Sequence, residues 1–193
     1  MRMGEKMAET IRILGIVGSL RKGSYNKALM RAATELLPKD VELEIFYLDD
    51  VPPFNQDLEK QPPQVIRLFK ERIRGADAIL IASPEYNYSI PGVLKNAIDW
   101  ASRPYGDNAL DGKPVALMSV SIGRFGGARM QYHLRQSFVY LNMYPINSPE
   151  FMLPNAEEHF DANGKLIDEE ARQRVRELLT SLVQWTLKLK QKP

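Results

Sequence analysis

The sequence predicts an α/β protein built on a doubly wound, five-stranded parallel sheet with helices on both faces. The first observation is that short apolar runs alternate with longer segments whose apolar residues recur at helical spacing. The second is that three of the runs are almost wholly hydrophobic, which is typical of parallel strands covered on both faces. This alternation implies right-handed crossovers between neighbouring parallel strands.

The strands are predicted from apolar runs that end at polar or glycine-bearing segments. Segment 41–48, VELEIFYL, alternates between apolar and polar residues, whereas the other long runs are continuous. Residues 147–167 are expected to be irregular. The predicted strands are 11–17, 41–48, 77–82, 113–120 and 144–146.

The helices are predicted where apolar side chains recur every three or four residues between suitable end signals. Ala28, Leu29, Ala32, Ala33, Leu36 and Leu37 mark the first helix. Pro62 and Pro63 suit the start of the second, which ends near Gly75, and Pro91 opens the third. Residues 128–142 form the fourth, and 168–189 form a long amphipathic helix that Asp168 caps.

The composition indicates a single domain over 11–193, preceded by a flexible tail over 1–10. A net charge of +2 without a basic stripe argues against nucleic-acid binding. The chain has no cysteine, which excludes disulfides, thiolate catalysis and cysteine-held iron–sulfur clusters. Its two histidines do not have metal-ligand spacing, so no metal is expected. The polar N-terminus and the absence of a long apolar run predict a cytoplasmic protein that does not span a membrane.

The loop after the first strand, GSLRKGSYN, predicts an anion site because a helix that begins just after a strand presents unpaired N–H groups. Ser19, Ser24 and Asn26 add donors, and Arg21 adds charge. The loop lacks the Gly-Lys-Ser/Thr of a Walker A motif and the G-x-G-x-x-G of a dinucleotide site. It suits a single phosphate monoester, such as that of FMN. The alternative is an ordinary turn in which Ser24 caps the helix.

Two more polar loops follow predicted strands, at 83–91 and 121–127. Ligands of doubly wound sheets bind beyond the carboxyl ends of the strands. We therefore expect these two loops to converge with the loop over 18–26 at one edge of the sheet.

Three motifs resemble those of the NAD(P)H-dependent FMN reductase family, and most closely its quinone and chromate reductase branch. They are GSLRKGSYN, SPEYNYSIPGVLKNAIDW and SIGRFGGARMQ, and the likeness extends from about residue 11 to about residue 153. The resemblance implies a flavodoxin-like fold with strand order 2-1-3-4-5.

The resemblance also implies which residues bind FMN. Ser19, Arg21, Ser24 and Asn26 would surround its phosphate. Pro84, Glu85, Tyr86 and Asn87 would lie along the isoalloxazine ring, with backbone N–H groups near N5 and O4. Ser119, Ser121 and Gly123 would hold the pyrimidine end. The alternatives are a tight turn in which Tyr86 and Tyr88 only pack, and a plain glycine turn in the third loop. No side chain is assigned a catalytic role.

The implied function is a ping-pong oxidoreductase in which NADPH or NADH reduces FMN and a quinone, or similar acceptors such as chromate or azo compounds, then takes the electrons. The alternatives are a flavodoxin-type electron carrier and a flavin reductase that releases reduced FMN. The family implies a homodimer or homotetramer, with Arg129, Tyr132 and Glu150, and nearby Tyr88, as candidates for a polar network across an interface. Alternatively, Arg129 and Glu150 pair on the surface of one subunit.

Overall fold

The computed structural model describes residues 10–191, so the tail predicted over 1–10 lies, apart from Thr10, outside the described residues. The strands are β1 Ile11–Val17, β2 Val41–Phe46, β3 Ala78–Ala82, β4 Pro114–Val120, β5 Tyr144–Pro145 and β6 Phe151–Leu153. The helices are α1 Tyr25–Glu35, α2 Gln64–Gly75, α3 Gly92–Ala101, α4 Ala128–Leu141 and α5 Glu169–Lys190, with 3-10 turns at Gln56–Leu58 and Ala156–Glu158.

The sheet is parallel with strand order β2-β1-β3-β4-β5, which confirms the predicted order 2-1-3-4-5. The prediction that residues 147–167 are irregular is wrong in two places, because β6 pairs with the end of β4 and a 3-10 turn forms at Ala156–Glu158. β5 pairs with the start of β4, at Pro114 and Val115, so β5 and β6 flank the same strand in succession. The sheet therefore has six strands rather than five. β6 was not predicted because a three-residue strand is too short to show a periodic pattern in the sequence.

Helices cover both faces of the sheet, as predicted. α1 and α5 pack against one face, where they meet alternate strand residues such as Ile13, Leu80 and Met118. α2, α3 and α4 pack against the other face, where they meet the intervening residues such as Leu14 and Ile79. Because both faces are buried, β3 and β4 consist almost wholly of buried apolar residues.

Asp168 caps α5, as predicted. Its Oδ1 accepts hydrogen bonds from the backbone N–H groups of Glu170 at 2.9 Å and Ala171 at 3.2 Å. Its other oxygen bonds the Nδ1 atom of His159. The hydrogen bond from the Ala171 N–H, helped by His159, lowers the pKa of Asp168 below its usual range. Within the described chain, no helix is both long and apolar enough to span a bilayer.

Candidate functional site

The three polar loops meet at the carboxyl edge of the sheet because their strands are neighbours there. The loop after β1 is joined to β3 by the Gly18 N–H, which donates to Ala82 O at 2.9 Å. The Ser83 N–H in turn donates to Met118 O of β4 at 3.2 Å. A Cβ at Gly18 would overlap the side chain of Ser83, so the first two loops start in direct contact. The expected convergence is confirmed.

The start of α1 offers the N–H groups that an anion needs. Its first intrahelical bond runs from Ala28 N to Ser24 O, so the N–H groups of Tyr25, Asn26 and Lys27 have no intrahelical acceptor. Ser24 occupies the N-cap position, but its hydroxyl makes no capping hydrogen bond. The alternative in which the Ser24 hydroxyl satisfies the helix is therefore not the observed arrangement, and both the hydroxyl and the helix end can face an anion.

The other residues predicted around the anion differ in their availability. Arg21 is exposed, with its guanidinium carbon 5.9 Å from the centre of the Tyr25 ring. Ser19 is buried at the start of the loop. Asn26 is also buried, and its side chain bonds both backbone groups of Val120, donating to the carbonyl at 2.9 Å and accepting from the N–H at 3.1 Å. Its amide thus joins α1 to the end of β4.

The loop after β3 forms a tight turn. The backbones of Tyr86 and Ser89 exchange two hydrogen bonds, of 3.1 Å and 2.9 Å. The two residues between them, Asn87 and Tyr88, both have positive φ, of 49° and 65°. Positive φ at both central positions usually requires Asn-Gly, so a tyrosine there is strained by about 1–3 kcal/mol. The side chains of Tyr86, at the start of the turn, and Tyr88, within it, are both exposed.

The side chain of Glu85 is turned towards α4 and pairs with Arg129. The hydrogen bond that the Arg129 guanidinium donates to the Glu85 carboxylate raises the pKa of Arg129. This corrects the alternative in which Arg129 pairs with Glu150 on the surface of one subunit. The hydroxyl of Tyr132, instead, donates to Glu150 Oε2 of the same chain at 3.4 Å.

The loop after β4 packs against the side chain of a buried serine, Ser119. Ser119 is fully buried, and its hydroxyl donates to Gly126 O at 2.6 Å while it accepts from Gln131 Nε2 at 2.8 Å. The Ser119 side chain therefore lies beneath the loop. Ser121 and Gly123 lie on the loop itself, where the Ser121 hydroxyl accepts from the Gly123 N–H at 3.1 Å.

Sequence reasoning did not identify Gln131 or the roles of Gly126 and Gly127 in this loop. Both glycines have positive φ, of 57° and 90°, and at either position a Cβ would come within 3.0 Å of neighbouring atoms. The adjacent glycines in SIGRFGG were the available signal, because positive φ and close approach both favour glycine. Among residues 10–191, no group of three or more His, Asp or Glu side chains is arranged so that it could hold a metal ion.

An open helix N-terminus beside the first and third strands of a sheet in the order 2-1-3-4-5 is the site at which flavodoxin-like proteins bind a mononucleotide. A family model described as NADPH-dependent FMN reductase matches residues 11–158. The chain belongs to this family and, within it, to the quinone reductase branch, and it is an oxidoreductase.

Curated relatives and solved structures agree with this assignment. An NAD(P)H-dependent FMN reductase of Pseudomonas aeruginosa is 48% identical over 186 residues, which cover 95% of this chain and 100% of the relative. An NAD(P)H:quinone oxidoreductase of Solanum tuberosum is 50% identical over 189 residues, covering 94% and 96%. The structure of a flavoenzyme NAD(P)H:(acceptor) oxidoreductase from Paracoccus denitrificans superposes with a TM-score of 0.85 at 35% identity, covering 92% of this chain and 98% of that one. An archaeal flavodoxin shares the fold, with a TM-score of 0.60 at 12% identity.

The close packing at Gly127 predicts a specific loss of stability. Gly127→Ala places a Cβ 2.8 Å from Ser119 on a backbone with φ of 90°, so we expect the free energy of unfolding to fall by at least about 2 kcal/mol. Gly92→Ala is the matched control, since its Cβ would meet nothing within 4 Å and its φ is not positive. Urea unfolding of both variants measures the difference, and equal stabilities would contradict the packing described.

Proposed function

We propose that this protein is an FMN-dependent NAD(P)H:quinone reductase that works by a ping-pong sequence, in which the nicotinamide donor and a quinone-like acceptor use the same open face in turn. The observation that carries the proposal is that the N–H groups at the start of α1 have no intrahelical acceptor and that the Ser24 hydroxyl does not cap them. This helix start lies where the three loops meet. NAD(P)H is the electron donor and FMN the cofactor of this family of enzymes. We also propose a cytoplasmic location, because intracellular reduced nicotinamide would supply the donor.

The residues at the start of α1 fit the phosphate of FMN. Their three N–H groups without intrahelical acceptors and the positive end of the helix suit a dianion, and the exposed Arg21 adds a positive charge. Ser19 and Ser24 complete the proposed phosphate site. Asn26 would contribute its backbone N–H, since its side chain is already bonded to Val120.

The two other loops fit the ring of FMN. Pro84, Glu85, Tyr86 and Asn87 would follow one side of the ring, with Glu85 and Asn87 as the proposed backbone donors because the Tyr86 N–H already bonds Ser89. Ser121 and Gly123 would meet the pyrimidine end, and Ser119 would support them from beneath. When bound, FMN supplies the hydride chemistry, so this chain's own residues need only bind, orient and exclude water. We therefore propose no catalytic side chain.

The surroundings of the turn fit a planar, partly apolar acceptor. Four large side chains there are exposed, namely Tyr86 at 48%, Tyr88 at 69%, Ile122 at 69% and Phe125 at 57%. Aromatic and aliphatic walls of this kind favour stacking with a quinone over docking of a charged protein. A quinone-like acceptor is supported by the activities of two relatives, the NAD(P)H:quinone oxidoreductase of Solanum tuberosum and a 41% identical 2-hydroxy-1,4-benzoquinone reductase of Burkholderia.

Spectroscopy of the purified protein tests this function. We expect a yellow protein, or one that FMN makes yellow and more thermally stable, because a ligand that binds the folded state must raise its stability. NADPH or NADH should bleach the flavin absorbance, and 1,4-benzoquinone should restore it without a partner protein, with parallel lines in initial-rate plots. A colourless protein that FMN does not stabilise would contradict the proposal. Turnover that needs a carrier partner, or loss of FMN during gel filtration, would favour an electron carrier or a flavin-releasing reductase.

Removing the proposed phosphate ligands should weaken cofactor binding without unfolding the chain. For Arg21→Ala combined with Ser24→Ala we expect a loss of about 2–4 kcal/mol in FMN affinity, the usual contribution of one charged and one neutral hydrogen bond. The matched control is Arg176→Ala with Thr180→Ala, which removes the same kinds of side chain from α5. Fluorescence titration of FMN measures both, and unchanged affinity in the first pair would place the phosphate elsewhere.

We propose that the protein assembles as a homodimer or homotetramer through the outer face of α4, with Arg129, Tyr132 and Glu150 near the junction. Val139 and Tyr140 on that face are 84% and 76% exposed, and aromatic side chains are enriched in subunit interfaces. Light scattering should therefore give two or four chains for the wild type and fewer for Val139→Glu. Leu187→Glu, at a 42% exposed position of α5, should not change the mass. A monomeric wild type contradicts assembly altogether.

A further inference from the structure

α4 begins without a capping side chain of its own. Its N-cap residue is Gly127, which has φ of 90° and makes no side-chain cap. A larger residue does not fit, because a Cβ there would lie 2.8 Å from Ser119. The N–H groups of the first turn of α4 therefore need an acceptor from elsewhere in the chain.

Glu85, from the loop after β3, supplies that acceptor. Its Oε2 accepts hydrogen bonds from the backbone N–H groups of Arg129 at 3.1 Å and Met130 at 3.4 Å. These are the positions that an Asp or Ser at the N-cap would otherwise satisfy. Its Oε1 pairs with the Arg129 guanidinium. The Glu85 side chain is only 7% exposed, and these hydrogen bonds compensate for the burial of its carboxylate.

Arg129 extends the connection to both loops. Its guanidinium carbon lies 3.5 Å from the centre of the Tyr88 ring in the second loop and 4.6 Å from that of Phe125 in the third. One turn further along α4, the Nδ1 atom of His133 lies 2.9 Å from the Ser89 hydroxyl. The turn with positive φ at Asn87 and Tyr88 is thus fixed to α4 at both of its ends.

We infer that Glu85 is a positioning residue whose carboxylate sets the spacing between the loop after β3 and the loop after β4, and hence the width of the slot for the flavin ring. This inference rests on the proposed function, in which those two loops meet the ring. It assigns the Glu85 side chain to α4, while the Glu85 backbone remains a proposed donor to the cofactor. It also assigns Arg129 to an ion pair with Glu85 of the same subunit, and this role does not depend on which residues lie next to Arg129 in an assembly.

Two variants separate the parts of this role. Glu85→Ala removes both acceptor oxygens, so we expect faster amide hydrogen exchange at Arg129 and Met130 in the FMN-free protein. FMN affinity should fall by about 10-fold or more, because the N–H groups of Arg129 and Met130 lose a charged acceptor and the two loops are then no longer held at their spacing. Glu85→Gln keeps one acceptor for the helix and should rescue most of the exchange protection and affinity. Asp99→Ala, which breaks the Lys95–Asp99 ion pair on α3, is the control and should change neither.

The combined readouts decide between this role and its alternatives. The visible spectrum of bound FMN should also shift in Glu85→Ala, because the backbone donors at Glu85 and Asn87 move relative to the ring. Weaker FMN binding with unchanged amide exchange would make Glu85 a direct ligand and overturn the inference. Faster exchange with unchanged FMN affinity and spectrum would also overturn it, since the carboxylate would then only stabilise α4. If the wild type binds no FMN, the proposed function fails, and the exchange data on the FMN-free protein alone decide whether Glu85 joins the loops.

Discussion

The hydrogen-bonding need of a helix end is the constraint around which this edge of the sheet is arranged. The first turn of α1 leaves three N–H groups without intrahelical acceptors, and Ser24 does not satisfy them with its hydroxyl. The sheet places the loop that leads into this helix beside β3, through the Gly18–Ala82 backbone bond, and the loop after β3 beside β4, through the Ser83–Met118 bond. Asn26 then fixes the helix to β4, so that the open N–H groups keep one orientation.

Polar residues at this edge fall into two groups that look alike in sequence. Asn26, Ser119 and the Glu85 carboxylate have their hydrogen-bonding capacity engaged within the chain, where they join elements that are far apart in sequence. Arg21 is exposed, and the hydroxyl of the buried Ser24 makes no capping hydrogen bond, so neither is used to close the helix end. The first group holds the shape of this edge, and the second is the group that we propose for the ligand, so a motif of polar residues does not by itself say which of them bind.

The sequence predicted the features that depend on local pattern. The apolar runs of β1, β3 and β4, the helical spacing and the Asp168 cap were all visible there, because each depends on a few consecutive residues. The strand order came from the resemblance of three motifs to a family. β6 was missed because three residues show no period, and the partner of Glu85 because it is 44 positions away in the chain. Long-range pairing of this kind depends on how the loops pack against each other, and a local sequence pattern does not predict that packing.

The way the sheet ends has a consequence for contacts between molecules. One edge strand, β2, carries Glu42 and Glu44, and charges on an edge oppose pairing with a strand of another molecule. The opposite edge consists of β5 and β6, with two and three residues, separated by a segment that contains Pro149. Within the described residues, therefore, neither edge offers a long uncharged row of backbone groups, and both edges oppose the addition of a strand from another molecule.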